Sequence, residues 1–334
     1  MHLGLTYDLK QDYMDRGWRP DDAAEFDSAE TIDAIASAIE RLGHRASRIG
    51  NCLDLITALA AGKRWDLVFN IAEGTHGRSR EAQVPAILEC LSIPYTMCDP
   101  LTASITLDKE TAKRIVRDHG LATPDFTVIK RPGDINTVTL PFPLFLKPVA
   151  EGTGKGISSR SLVRDHDELE SAALEMLKTY AQPVLVEAYL PGREVTVGVI
   201  GTDDEAEAIG VMEIIFKPGI KDAFYSHHVK DNYKKFVEYR LLEPGDDARK
   251  AEELAVSAHT ALGCRDVSRV DLRADGHGKW HFLEVNPLPG LHPVDSDLPI
   301  LCRLKGIEYH KLIENIISSA LKRIHSPYAG SNNI

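Results

Sequence analysis

Along the first hundred residues, short apolar runs alternate with stretches whose apolar positions recur every three or four residues. His2 to Tyr7 reads as a strand. From Ser28 to Leu42 the residues Ile32, Ile35, Ala36, Ile39 and Leu42 fall at helical spacing, with Gly43 just past the end. Ala46 to Ile49 predicts a second strand, Leu53 to Ala61 a second helix, and Asp66 to Ile71 a third strand. That alternation predicts a parallel sheet covered on both faces, with ligands bound at the loops that follow its strands.

Further along, helical periods cover Glu81 to Leu91 and Lys109 to His119. Phe142 to Val149 is strand-like with a lysine inside it, and the glycine-rich EGTGKGIS follows. Val184 to Leu190 and Glu194 to Ile200 read as strands around Pro-Gly-Arg, and Ala208 to Phe216 as another. The polar, aromatic KDAFYSHHVKDNYKKF reads as a mobile loop, Asp246 to Leu262 as an amphipathic helix and Glu308 to Ile324 as a terminal helix. The tail SPYAGSNNI is expected to be disordered.

Composition narrows the function classes. The 334 residues suffice for two or three domains, and 43% hydrophobic with 27% charged residues is ordinary for a soluble chain. A net charge of -11 argues against a nucleic-acid partner, which needs a basic patch, and more weakly against an anionic membrane surface. It leaves room for ATP held by a few focused lysines and magnesium. The five cysteines are scattered without a Cys-x-x-Cys pair, as expected for reduced thiols in a cytoplasmic protein. MHLGLTYDL lacks a basic start followed by an apolar core, so no signal peptide is expected, and no window approaches the length of a membrane span.

The chemistry concentrates in SRVDLRADGHGKWHFLEVN, Ser268 to Asn286, two alternating runs around a Gly/Asp-rich turn. Alternation puts Arg269, Asp271 and Arg273 on one face of the first strand and Phe282, Glu284 and Asn286 on one face of the second. Pairing the strands symmetrically about His277 and Gly278 sets Asp271 opposite Glu284 and Arg269 opposite Asn286. Two carboxylates so placed repel each other unless a divalent cation lies between them. Carboxylate and amide oxygens suit magnesium, with manganese as a substitute, and phosphate oxygens then complete the shell. Three glycines within Gly152-Thr153-Gly154-Lys155-Gly156 can turn backbone N–H groups toward such an anion, although a plain flexible loop has the same composition. Lys147, near the end of an apolar strand, is costly to bury without a partner, and phosphate is one candidate. Lys109 opens a helix and is a second. Glu187, an acid inside VLVEAYL, accepts either from a nucleotide or from a structural lysine or arginine.

In order along the chain, LDKETAKRIVRDHGLATP, FLKPVAEGTGKGIS, VLVEAYLPGREVTVGV, RVDL and FLEVNPLPG resemble the ATP-grasp ligases, and most closely the D-alanine–D-alanine ligase family. The resemblance spans about Trp65 to Pro299. It implies an α/β protein with α+β central and C-terminal parts: an N-terminal parallel-sheet substrate domain (1–104), a central lid domain (105–186) and a C-terminal catalytic domain (187–326), then the tail. It implies ATP and two magnesium ions as cofactors. Lys109, Lys147 and the loop residues Gly152, Thr153, Gly154 and Lys155 would meet phosphates. Glu187 and the backbone at Tyr189 and Leu190 would meet adenine, and Glu194 the ribose. Lys230 would cover the phosphates, and Asp271, Glu284 and Asn286 would hold the metals. Arg269 and the Gly290 N–H would steady an oxyanion. The implied reaction is attack of an amino-acid carboxylate on the γ-phosphate, then of an amine on the acyl phosphate, in a homodimer. A nucleotide-binding module without ligation and a phosphotransferase are the alternatives.

The amino-acid site departs from that family. TYDLKQDYMDRGWRPDDAAEFDSAE replaces its Gly-Gly-x-Ser-x-Glu loop, with Glu25 or Asp27 as candidates for the glutamate. AEGTHGRSREAQ puts Glu73 where the family has histidine, and Arg78 and Arg80 where acids would stand. Asp295, Ser296 and Asp297 occupy the place of a serine that binds the acceptor carboxylate. Arg78 or Arg80 can grip a carboxylate, whereas Glu73 and Asp295 favour an ammonium group. These changes point to a product other than D-Ala-D-Ala, with a more cationic or larger acceptor, or else to residues that pair with one another and leave the substrates unchanged.

Overall fold

The computed structural model describes residues 1–20, 22–152, 154–217 and 233–325. Thr153, Lys230, most of KDAFYSHHVKDNYKKF and the tail lie outside these residues.

Three strands form the first sheet: β1 (His2–Thr6), β2 (Arg45–Gly50) and β3 (Leu67–Asn70), parallel in the order β2-β1-β3. The helices between them are α1 (Lys10–Asp15), α2 (Ala29–Arg41) and α3 (Cys52–Ala60), and α4 (Gln83–Cys90) follows β3. Ser28 caps α2 by accepting from the Thr31 N–H at 3.2 Å, and Asn51 with Asp54 forms a reciprocal cap on α3. Alternation decides the two faces. Leu3, Leu5, Leu67 and Phe69 pack on Ile32, Ile35 and Ile39 of α2, while Val68 packs with Leu55, Leu59 and Leu88 on the other side.

Next come α5 (Pro100–Leu107) and α6 (Lys109–Asp118). The second sheet is antiparallel and contains β4 (Phe126–Ile129), β5 (Leu144–Pro148), β6 (Leu162–Val163) and, after α7 (His166–Tyr180), β7 (Val184–Ala188), ordered β4-β7-β5-β6. Leu144, Leu146, Val184 and Val186 bury against Leu169, Ala173 and Met176 of α7. The opposite face of the same strands carries Phe145, Lys147 and Glu187 into a pocket. Strand β7 runs to Ala188, two residues past the boundary expected at 186.

The third sheet is also antiparallel, ordered β10-β9-β8-β11-β12. Its strands are β8 (Glu194–Ile200), β9 (Glu207–Phe216), β10 (Val237–Leu241), β11 (Val267–Ala274) and β12 (Trp280–Asn286). A short α8 (Tyr233–Phe236) precedes β10, α9 (Asp246–Ala261) follows it, and α10 (Asp297–Leu304) and α11 (Tyr309–His325) end the described chain. Valines of β8 and β11 meet Ala251, Ala255 and Ala258 of α9, whose small side chains let helix and sheet approach closely. The terminal helix α11 returns to the first sheet, burying Leu312, Ile313 and Ile316 beside α2, so the chain's two ends share one core.

Pairing in the β11–β12 hairpin has Asp271 opposite Glu284 and Arg269 opposite Asn286, as the symmetric turn predicts. Beyond Asp271 the register shifts: Leu272 pairs with Phe282, leaving Leu283 as a bulged residue. The extra residue reverses the expected face of Phe282, which buries with Val270 and Leu272, and puts Leu283 on the pocket side beside Glu284.

Asp266 joins all of this at one point. It is fully buried with φ +63°, a region that aspartate tolerates better than most residues. It accepts from the Met97 N–H at 2.8 Å, Ser319 Oγ at 3.0 Å and Arg323 at 3.0 Å, linking the first sheet, the third sheet and α11. Asp266→Ala leaves these donors unpaired and is expected to lower unfolding free energy by about 3–5 kcal/mol, read by urea denaturation. His259, fully buried, donates to the Gly201 carbonyl from Nε2 and accepts from Ser268 at 2.7 Å. Burial holds its imidazole down at about 4. The unfolded chain therefore takes up a proton near pH 6.5 that the folded chain refuses until about pH 4, so this group's contribution falls as pH falls through that window. Between pH 7 and pH 5 wild type is expected to lose about 2 kcal/mol more than His259→Gln, compared by denaturant melts at both values.

Candidate functional site

The second and third sheets face each other across a pocket. One wall is Phe145, Lys147 and Glu187; the other is Glu194, Asp271, Arg273 and Leu283, with Glu284 beside them. Tyr189 and Leu190, in the link between the sheets, form its back, and Gly154 lies at its edge.

Glu187 is buried between two lysines, Lys147 and Lys113, each at 2.9 Å. This is the structural ion pair left open as one alternative, so the carboxylate that sequence pointed toward adenine is engaged by lysines. It is also the partner that Lys147 requires. Burial would push the Glu187 carboxyl up, but the two ammonium groups outweigh it and hold the carboxyl below its usual range. Lys113, on α6, is drawn down to about 8 because burial there exceeds the attraction of Glu187. Burial acts on Lys147 too, but Glu187, Glu284 and Glu194 together keep it above the ordinary lysine value. Lys113 also donates to Thr123 Oγ1 at 2.9 Å and to the Phe282 carbonyl at 3.3 Å, tying α6 to both sheets. Its place one turn after Lys109, between the buried Ala112 and Val116, was the available signal for a lysine aimed inward.

Across the pocket, Glu194 binds Arg273 at 2.9 Å. Burial, with Asp271 and Glu284 nearby, keeps its carboxyl above the ordinary value despite that guanidinium. Arg269 donates to both oxygens of Asp271, at 3.1 and 2.9 Å, and to Asp297 at 3.0 Å. Asp297, buried at the start of α10, also accepts from Tyr239 at 2.9 Å. Arg269 is thus clamped from two elements. Asp271 further accepts from Thr196 at 2.7 Å, and the Asn286 amide nitrogen lies 3.3 Å from it. Lys109 reaches Glu284 at 3.3 Å and the Glu151 carbonyl. Among the described residues no three His, Cys, Asp or Glu side chains converge as a metal cluster. Two carboxylates and an amide instead form a partial set of hard oxygen donors, which fits a cation whose shell a phosphate completes.

Beyond this pocket lies a cavity of about 630 Å³, whose lining includes Lys109, Arg269, Asn286 and Gly290 together with Glu25, Asp27, Glu73 and Glu81. At Gly290 a side chain would meet Ser296 Oγ at 2.8 Å, so that turn approaches α10 as closely as only glycine permits. Ser296 Oγ accepts from the His292 N–H at 3.0 Å, and exposed Asp295 lines the same cavity.

The two arginines expected to grip a carboxylate substrate are committed elsewhere. Arg80 binds Glu25 at 2.6 Å and the Ala150 carbonyl at 3.3 Å; Arg78 binds Asp108, which caps α6. Glu25 is occupied as well, accepting from Arg80 and from the Gly152 N–H at 2.6 Å. Lys155 points away from the pocket toward Glu151 at 3.2 Å, in a separate cavity shared with Arg78 and Arg80. Pairing among these residues was the alternative to substrate contact, and for Glu25 with Arg80 the structure contains it. Sequence reasoning gave no role to Lys113, Arg273, Asp297 or Glu81.

Residues 115–318, more than half of the chain, match the family described as D-ala D-ala ligase C-terminus. The D-alanine–D-alanine ligase of Aquifex aeolicus (strain VF5) is 35% identical over 292 residues, covering 87% of this chain and 94% of its own. The ligase of the same name from Bordetella petrii is 34% identical over 275 residues, covering 81% and 80%. In fold, the D-alanine–D-alanine ligase of Bacillus anthracis complexed with ATP aligns with a TM-score of 0.72 over 96% of this chain and 98% of its own, at 24% identity. The VanG D-Ala:D-Ser ligase of Enterococcus faecalis aligns with a TM-score of 0.70, covering 96% and 99%, at 21% identity. With its motifs, sheets and relatives in agreement, the chain belongs to the D-alanine–D-alanine ligase family of ATP-grasp enzymes, which use ATP to join a carboxylate to an amine.

Proposed function

We propose that ATP lies between the second and third sheets and that amino-acid substrates occupy the adjoining 630 Å³ cavity. The observation that carries this is the hairpin face, where Asp271 stands opposite Glu284, with Asn286 and the doubly clamped Arg269 opposite each other. Relatives named D-alanine–D-alanine ligase favour amino acids as both partners. A cytoplasmic homodimer belongs to the same proposal, supported by the family resemblance and by five unpaired, scattered thiols.

Lys147 and Lys109 take phosphate oxygens, with Glu187 holding Lys147 in place. Gly152 and Gly154 offer N–H groups to the same phosphates, and Lys155 approaches from outside the pocket; Thr153 and Lys230 join them only as the family resemblance implies. The backbone at Tyr189 and Leu190 receives adenine, and Glu194, steadied by Arg273, receives the ribose. Asp271, Glu284 and Asn286 would hold magnesium, which would supply positive charge to offset that of the phosphates. A substrate carboxylate and a triphosphate repel each other, so cationic side chains must neutralise both while holding them in line. Arg269 does this at the junction of pocket and cavity; fixed by Asp297, it needs no reorientation as charge develops. The carboxylate oxygen attacks the γ-phosphorus and ADP leaves. The amine then attacks the acyl carbon, whose oxyanion meets Arg269 and the Gly290 N–H, and phosphate leaves with the C–N bond formed.

Glu284→Gln keeps the size of the side chain and removes its charge. ADP release driven by an amino acid is expected to fall by about 10²–10³-fold with the melting temperature within about 3 °C of wild type. Removal of divalent cations with EDTA should abolish the wild-type reaction, and magnesium or manganese should restore it. Unchanged turnover in Glu284→Gln would sink the metal assignment, and no ADP release with any amino acid would sink ligation.

A further inference from the structure

Carboxylates outnumber cationic side chains around the 630 Å³ cavity, and most of them have partners. Glu25 is bound by Arg80 and Gly152, Glu284 by Lys109, and Asp297 by Arg269 and Tyr239. Glu73 and Glu81 differ. Among the described residues neither carboxylate accepts a hydrogen bond or closes an ion pair. Glu81 is only 7% exposed, yet it lines the cavity with Glu73. Arg80 is near enough to act on both through space, but its guanidinium is committed to Glu25 and Ala150. A buried acid facing a substrate cavity without a protein partner is costly unless the ligand supplies one.

We propose that Glu81 and Glu73 form a subsite for a second positive charge on the amino-acid substrate, so that this ligase takes a dibasic amino acid. The proposal rests on the ligase function and names its substrate class. The neutral alternatives fail on chemistry: a small aliphatic side chain would leave both acids unpaired in a cavity large enough for several more atoms. An ammonium donates three hydrogen bonds and carries the charge that the two carboxylates lack.

The surroundings agree. Burial, with Arg80 opposing and Glu25 reinforcing, pushes the Glu81 carboxyl up to about 7. Burial together with Glu81 and Glu25 raises Glu73 well above its ordinary range, against Arg80, while Asp27 adds to the rise. Lys109, which pulls Glu81 down, is the other cation acting on it from this cavity. A bound ammonium makes both carboxyls stronger acids, so binding near pH 6.5 should release protons.

The test uses the full chain with ATP and magnesium, and the D and L forms of norleucine, ornithine and lysine. Norleucine matches lysine in length without its second charge. ADP release gives KM, and calorimetry in buffers of different ionisation enthalpy gives binding and proton release. The expected KM for lysine or ornithine is at least about tenfold below that of norleucine of the same handedness, with protons released on binding. Glu81→Gln, which keeps side-chain volume, should shrink that preference to less than about threefold and reduce the proton release. Norleucine performing as well as the dibasic amino acids, a preference that survives Glu81→Gln, or no binding of either dibasic amino acid would each overturn the subsite. A dibasic preference in calorimetry without ADP release from any of the six would leave the subsite standing and count against ligation.

Discussion

Glu187 between Lys113 and Lys147 is the contact on which the site depends. Three charges are buried there, and they sum to one positive. Taking them out of water is expensive, and removing the central carboxylate from such a set typically costs about 3–5 kcal/mol. The arrangement persists because each charge fixes a different element. Lys113 belongs to α6 and also holds the Phe282 carbonyl of β12; Lys147 belongs to β5, and Glu187 to β7. The two sheets that face the pocket are therefore joined through Lys113, which meets Glu187 of β7 and the Phe282 carbonyl of β12. The surplus positive charge faces Glu284 and Glu194 across the pocket, which help to keep Lys147 protonated.

The parts of this architecture that could be read from the sequence were those with local physical causes. The parallel first sheet followed from alternating periods. The pairing of Asp271 with Glu284 was legible because both lie close to one turn, but that turn centres on His277, with Ala274 opposite Trp280, and it is the extra residue at Leu283 that brings Asp271 opposite Glu284. What alternation could not show was the extra residue at Leu283, because a bulge leaves the pattern of apolar residues intact while changing which face they occupy. The helix α7 also went unpredicted, as did the return of α11 to the first sheet, which depends on residues almost the whole chain apart.

At the site the same division holds. The residue types marked the chemistry, but their partners were distant in sequence. Arg80 meets Glu25 across 55 residues, and Lys113 meets Phe282 across 169. No local pattern distinguishes an arginine waiting for a substrate from one already paired. Asp297 illustrates the converse: it stood in a region recognised as unusual, yet only the fold shows that it orients Arg269 while Asp295, two residues away, stays exposed.

The bond between Glu25 and the Gly152 N–H has one more consequence. A carboxylate oxygen there, 2.6 Å from the nitrogen, has the charge and reach of a phosphate oxygen. The protein thus keeps its own anion at the mouth of the glycine loop. Any other anion that takes this donor has to displace Glu25, which is also the carboxylate that Arg80 holds at 2.6 Å. One side chain therefore couples the glycine loop to the segment that carries Arg80, so a change at either is felt at the other.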